Sequence, residues 1–454
     1  MEEFLFKKIE VWIVVLLGIF GVAGTVFFGA AVRYYHEGGN SGQFGAWADT
    51  IAAIPSTAKT IVKGKHGKAA MEAHEQRFDG HSGFVFNYQA GERPDLGYLL
   101  LNRYDFDLGM SVSELVDLNT QETLHRWHFD VDPLWKQSKR VNHLEVDHAT
   151  KRFRNQHAYL LNNGSILTGV QGPLLSADLC SNLSLINDQA SYHHSIERDD
   201  KGNFWIPKHF VPKTVKIGSK QFSDDGIALL TPDGKVLSEK SIISILDQNG
   251  LGYLIYGMGR YNDDPIHLND IQPVRKDGLY WKTGDIFLSI RNLSMILLYR
   301  PSANQVLWYK QGPWIHQHDV NILDDHRISV FDNHARFEFD KSTENLVVDS
   351  SNNVYIFDFQ SDSVTSPFQN AFTSLDIRTP TEGRGKIISS DEIFVEETNY
   401  GRLLQFNNRG EIIWQYINRA SNGKVYYVSW SRLISRARGD RIRNAIKESQ
   451  CYEN

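Results

Sequence analysis

Cysteine is nearly missing from this chain: Cys180 and Cys451 are the two present in 454 residues, too few for a disulfide scaffold. They leave open one pairing or two separate thiols. Excess positive charge is missing too. The net charge of -6 argues against a general nucleic-acid binder. Sustained helical periodicity is nearly absent between residue 83 and the last segment, which argues against an α-helical domain. What is present, 41% hydrophobic and 22% charged residues with 35 glycines, is ordinary for a folded chain. The length admits one large β domain or two to three ordinary ones.

Residues 11–32, VWIVVLLGIFGVAGTVFFGAAV, form an apolar run without a charge, about the ~20 residues that cross a bilayer as a helix. Lys7, Lys8 and Glu10 precede it, and Arg33, Tyr34, Tyr35 and His36 follow it, so charged and aromatic residues bracket the run. It exceeds the roughly 7 to 15 residues of a signal-peptide core. A cleaved signal ending near Gly29, Ala30 and Ala31 is the alternative. Lys7 and Lys8 against Arg33 favour the N-terminus inside and the large domain outside the cytoplasm. Residues 1–36 are therefore read as a single-pass transmembrane anchor in contact with the lipid bilayer.

Residues 37–82 read as a linker with short helices. It opens on the glycine-rich HEGGNSGQFGAW at 36–47 and carries Lys59, Lys63, Lys65 and Lys68, which solvate a surface or meet anionic lipid. From residue 83 short β-rich runs alternate with polar turns. Hairpin-like units recur around Leu118, Ile245, Leu298 and Gln405. In three of them the second strand carries a tryptophan, Trp127, Trp308 or Trp414. Their spacing leaves room between residues 83 and 430 for about six four-stranded blades. The expected fold is all-β, a six-bladed β-propeller behind an N-terminal transmembrane helix, with a β-sandwich as the competitor. Residues 431–454, with six basic side chains from Arg432 to Lys447, read as a basic C-terminal tail or cap.

The densest polar cluster is WIHQHDVNILDDHRISVFDNH, residues 314–334. It predicts a strand, a turn at Asp324 and Asp325 and a return strand, with His316 and His318 on one face. Two more histidine-bearing segments, at His193 and His194 and at His267 to Asp270, would converge with it if each lies on an inner blade strand. Imidazole acts as nucleophile or proton carrier near neutral pH. Arginine and amide side chains hold an oxyanion as charge develops on it.

These segments resemble the arylsulfotransferase family. In that family, six-bladed propellers exported across the bacterial inner membrane carry a histidine that takes a sulfuryl group from an aryl sulfate and passes it to a phenol. QHDVNIL at 317–323 and VFDN at 330–333 are similar to the nucleophile segment, which makes His318 the nucleophile. His267, Asn269 and Arg291 look like the group that binds the sulfuryl oxygens, and His194 like a third histidine that assists binding or proton transfer. The resemblance implies His318, His267, Arg291 and His194 as catalytic residues. Asn269, His193, His316 and Thr381 are the substrate-binding candidates. No cofactor is implied, and the location is the inner (cytoplasmic) membrane with the propeller on the periplasmic or extracytoplasmic side. The partners implied are an aryl sulfate donor and a phenolic acceptor.

Two other readings compete. Histidines with Asp319 would suit a transition metal, but nothing in the spacing specifies one, and no metal ligand is assigned. A nonenzymatic propeller, serving as scaffold or assembly subunit beside a membrane-protein partner, is the second.

Overall fold

The structure is a computed structural model that describes residues 10–36, 43, 47–48, 51, 71–138, 149–169, 171–210, 215–217, 220–257, 261–340, 343–449 and 451. The chain divides into two compact units, Met1–His66 with Ile217–Lys220, and Gly67–Lys216 with Gln221–Asn454. In the first, Val11–His36 is a helix. Its segment Val11–Val32 has a mean hydropathy of 2.5 and none of it is buried, so it is long and apolar enough to cross a membrane. The linker lysines Lys59, Lys63, Lys65 and Lys68, and the short helices expected around them, lie outside the described residues.

The second unit is mostly β and propeller-like, a succession of antiparallel meanders. Three sheets have four strands. One sets Arg432–Ile434 beside Tyr98–Asp105, Met110–Asp117 and Glu122–His128; another runs from Leu268–Pro273 to Gln305–Gln311; the third runs from Val320–Ile322 to Ser363–Thr365. A five-stranded sheet joins Arg384–Ile387 through Ile412–Ile417 to Gly83–Phe86, and an eight-stranded sheet runs from Tyr159–Leu160 to Val236–Ser241, with Glu197–Arg198 beside Phe204–His209. Both ends of the β region are sewn in. Gly83–Phe86 pairs with Ile412–Ile417, and Arg432–Ile434 pairs with Tyr98, Leu99 and Leu100.

Apolar side chains fill the spaces between successive sheets. Trp127 and Phe129 pack with Leu160, Ile166 and Leu175. Trp414 packs with Leu99, Leu101 and Val116 of the next sheet. The final basic run is ordered as strand Arg432–Ile434 and helix Arg436–Glu448. Gly439 lets that helix lie on Tyr98, where a Cβ would stand 1.9 Å from the ring. Asp440 and Arg436 bond Tyr98 and Asp117 at 2.6 Å and 2.9 Å. Cys451, just beyond the helix, is disulfide-bonded to Cys180 with Cα atoms 5.2 Å apart.

Side chains at the heads of the first strands, or beside one as Glu396 is beside Arg384, bond the backbone of the next sheet. Ser195 Oγ accepts from Ile271 N–H at 3.0 Å, and Asp270 from Val320 N–H at 3.0 Å. Asp319 accepts from Gly385 N–H at 3.3 Å and Glu396 from Ser431 N–H at 2.6 Å. Arg432 then donates to Ala158 O at 3.0 Å and pairs with Glu197 at 2.7 Å. The series closes on itself.

One local expectation fails. Around Ile245, where a hairpin-like unit was expected, the chain forms helices Ile242–Gln248 and Tyr253–Tyr256. Ser241 caps the first by accepting from Ser244 N–H, and Ile242, Ile243, Ile245 and Leu246 are all buried. A cap followed by apolar residues on one helical face outweighs β-branching. Trp308 is only partly buried, stacked on Phe357 at 5.0 Å.

Trp127 and Trp414 are fully buried. Trp127→Ala and Trp414→Ala should each cost about 3–5 kcal/mol in a reversible urea melt, and Trp308→Ala less than half of that. Equal losses for all three would show that burial between sheets is not what these residues contribute.

Candidate functional site at the heads of the first strands

A repeated backbone feature builds the site. His157, His194, His267, His316, Glu382 and Trp430 all take left-handed φ values, 54°, 54°, 51°, 54°, 57° and 58°. Each stands just ahead of a short strand, at Tyr159, Glu197, Leu268, Val320, Arg384 and Arg432 respectively. A non-glycine residue with positive φ is uncommon and is held only where surrounding bonds over-determine it. Here the bonds between sheets do so, and four of the six turns offer an imidazole.

His194 is the hub. Its ring centroid lies 5.4 Å from His267, 6.2 Å from His318 and 5.7 Å from His157. Burial holds His157, His194 and His318 well below the ordinary imidazole pKa, with neighbouring histidines and arginines adding to the shift. These rings are neutral at neutral pH.

His318 has a defined tautomer. Its Nδ1 is 2.6 Å from Asn333 Oδ1. The Asn333 amide nitrogen donates to Thr379 O and Glu382 O at 2.9 Å and 2.8 Å, so Oδ1 is the acceptor and Nδ1 carries the proton. The lone pair is therefore on Nε2, which accepts the Glu382 N–H at 2.9 Å. Arg154 and Gln156 hold the Glu382 carboxylate at 2.6 Å and 2.8 Å.

His267 places Nδ1 2.6 Å from Asp264 Oδ2. Burial pushes that carboxyl up, but the His267 bond and nearby cationic groups outweigh it, and the net pKa is lowered. Arg291 is 8% exposed and donates to Asn292 Oδ1 at 2.9 Å, while its Nε has no hydrogen-bond partner. Among the described residues no carboxylate pairs with it. Its charge is the largest neighbouring-charge contribution acting on His318. Asn269 donates to Gln317 O at 2.8 Å.

Three candidates sit differently from expectation. His316 and His318 precede strand Val320–Ile322 and do not share a strand face: the left-handed turn at His316 breaks the alternation, and its Nδ1 goes to Ala335 O at 2.8 Å. His193 is buried behind His194, with Nδ1 2.7 Å from His194 Nδ1. Thr381 spends its hydroxyl on Asn399 Oδ1 and reaches the pocket only through its neighbour Glu382. Asp319, the carboxylate considered for a metal, bonds Asn321 and Gly385 instead.

Sequence reading missed His157, Asp264, Glu382 and Arg154. The signal for His157 was available: HAYL at 157–160 parallels HSIE at 194–197, HLND at 267–270 and HQHD at 316–319.

A propeller-like β protein with a buried cluster of neutral histidines, one of which has its lone pair set by an asparagine, is the class that fold and site define. The chain belongs to the arylsulfotransferase family, whose model, Arylsulfotransferase (ASST), matches residues 157–419. No curated protein matches it. Among solved structures it is similar to a protein of unknown function from Bacteroides caccae, with 11% identity over 73% of this chain and 98% of that one and a TM-score of 0.41. It is also similar to virginiamycin B lyase from Staphylococcus aureus, with 9% identity over 76% and 99% of the two chains and a TM-score of 0.34.

Two histidines of one stretch should titrate oppositely. Partly exposed His326 bonds Asp325, which raises its pKa, whereas burial lowers that of His318. In isotope-edited imidazole NMR, His326 should be protonated at pH 6 and His318 neutral. Protonation of His318 at or above His326's midpoint would contradict its burial.

Proposed function

We propose that this protein transfers a sulfuryl group from an aryl sulfate to a phenolic acceptor through a transiently sulfated His318. The observation that carries the proposal is the lone pair on His318 Nε2, set by Asn333 on the other ring nitrogen, close to the unpaired buried cation Arg291. Family membership supports the reaction class.

In the first half-reaction Nε2 attacks sulfur, an N–S bond forms and the S–O bond to the aryl group breaks. The aryloxide leaves with the electron pair and takes its proton from solvent, while the neutral His194 offers the leaving oxygen a hydrogen bond. In the second, the phenol oxygen attacks sulfur, its proton passes to solvent, the N–S bond breaks and the electron pair returns to His318 Nε2. Arg291, with His267 and Asn269, holds the sulfuryl oxygens. Asp264 orients His267, and His316 lines the edge of the pocket. Attack requires that Nε2 exchange the Glu382 amide for sulfur.

The second unit is read as six blades. Six left-handed heads precede six short strands, and the eight-stranded sheet divides at Leu183–Tyr192. The early part of that strand pairs with Leu174–Ala177 and its end with Lys208 and His209. Residues 1–36 are read as a single-pass anchor, 37–82 as a linker, 83–430 as the propeller and 431–454 as its C-terminal cap. The Cys180–Cys451 bond supports the periplasmic or extracytoplasmic side, where disulfides persist.

Incubation with p-nitrophenyl sulfate followed by peptide mass spectrometry should place a sulfuryl adduct on His318, absent from His318→Ala. Arg291→Met should slow adduct formation by about 10² to 10³. The wild-type rate should hold from pH 7.5 to 5.5, where an imidazole of ordinary pKa would lose about tenfold. A folded protein that binds the donor yet gains no adduct would favour a scaffold.

A further inference from the structure

Behind the pocket lies a second group of side chains that the proposed transfer does not use. His209 and Asp225 are cross-strand partners at the ends of Phe204–His209 and Asp225–Leu230, and His193 N–H donates to Pro207 O at 3.1 Å beside them. One nitrogen of His193, one of His209 and one carboxylate oxygen of Asp225 lie within 4.8 Å of one another. From Asp225 Oδ1 to His209 Nδ1 is 2.5 Å, and to His193 Nε2 3.7 Å. The rings of His193 and His209 stack at 4.1 Å.

We propose that His193, His209 and Asp225 bind a divalent transition metal of the zinc class. Two imidazoles and a carboxylate are a donor set such ions take. His193 is 2% exposed and Asp225 fully buried, yet His193 Nε2 makes no hydrogen bond. Burying a polar atom without a partner is costly, and a cation between it and the Asp225 carboxylate removes that cost. Asp225 is already oriented, since its Oδ2 accepts Leu268 N–H at 2.6 Å, as metal-binding carboxylates commonly are. Ligands about 2.1 Å from a tetrahedral ion stand roughly 3.4 Å apart. The His193 contact is close to that, and the His209 contact opens by about 1 Å on binding. His209, with a third of its side chain exposed, gives the ion its way in.

The site reaches the pocket through one bond. With Nε2 on the metal, His193 carries its proton on Nδ1 and donates it to His194 Nδ1 at 2.7 Å. His194 then keeps its own proton on Nε2, the form that donates a hydrogen bond to a leaving aryloxide. This consequence rests on the proposed sulfuryl transfer. Metal binding does not, so the two fail separately.

The test uses the full-length, tag-free protein in detergent, stripped with a chelator and titrated with zinc chloride against a chromophoric chelator. Cobalt(II) chloride is added in parallel and followed by its visible d–d absorption. The wild type should take up one equivalent of zinc, show cobalt bands and melt higher with zinc. His209→Ala and Asp225→Asn should bind more than about 100-fold more weakly and gain no thermal shift. His326→Ala, in the partly exposed Asp324, Asp325, His326 group, should behave as wild type. Asp225→Asn keeps an acceptor for Leu268 N–H, so it decides the matter if His209→Ala does not fold. A folded wild type that takes up no equivalent overturns the proposal, as does uptake that survives Asp225→Asn or is lost only in His326→Ala.

Discussion

The structure depends on a closed series of buried polar side chains, each bonding the backbone of the sheet after its own. Ser195, Asp270, Asp319, Glu396 and Arg432 carry it, and Arg432 completes it at Ala158 and Glu197. Apolar packing between sheets supplies most of the stabilisation, but it is non-directional and does not set the depth at which one sheet meets the next. Directed bonds at the strand heads do. They also hold six residues in left-handed conformations and so aim His157, His194, His267 and His316 from strand heads far apart in sequence.

The same layer governs the chemistry above it. Asp270 and Asp319 are pushed above the usual carboxylate range, each by burial first, while Arg384 pulls Asp319 back down. Above them no carboxylate forms an ion pair with Arg291 among the described residues, although the charge of Asp264 acts on it, and the histidines are kept neutral by burial. Neutral imidazoles beside an unpaired cation suit an anionic ligand. Glu382 links the two layers: its side chain is clamped by Arg154 while its N–H covers the His318 lone pair.

Much of this was legible in the residues. Short β runs, polar turns and recurring tryptophans were enough for a repeated meander, and the histidine segments 193–194, 267–270 and 316–319 do meet around His194. What failed has physical reasons. Alternation placed His316 and His318 on one face because it assumes an extended backbone, and a left-handed residue breaks that assumption. The run around Ile245 satisfied strand composition and helix spacing equally, and the cap at Ser241 settled it. His157, Asp264 and Glu382 act through partners distant in sequence or through a backbone amide, for which composition carries no mark. The cysteine pairing was open for the same reason, since 271 residues separate the two.

The central claim is that these strand heads converge to present His318 Nε2 to a sulfuryl donor. A structure of the protein after soaking in an aryl sulfate tests it most directly. The account predicts a sulfuryl group bonded to His318 Nε2, its oxygens on Arg291, and the Glu382 amide withdrawn from the ring. A sulfuryl group on His267 Nε2, or donor bound elsewhere with the Glu382 N–H still seated on His318, would contradict it.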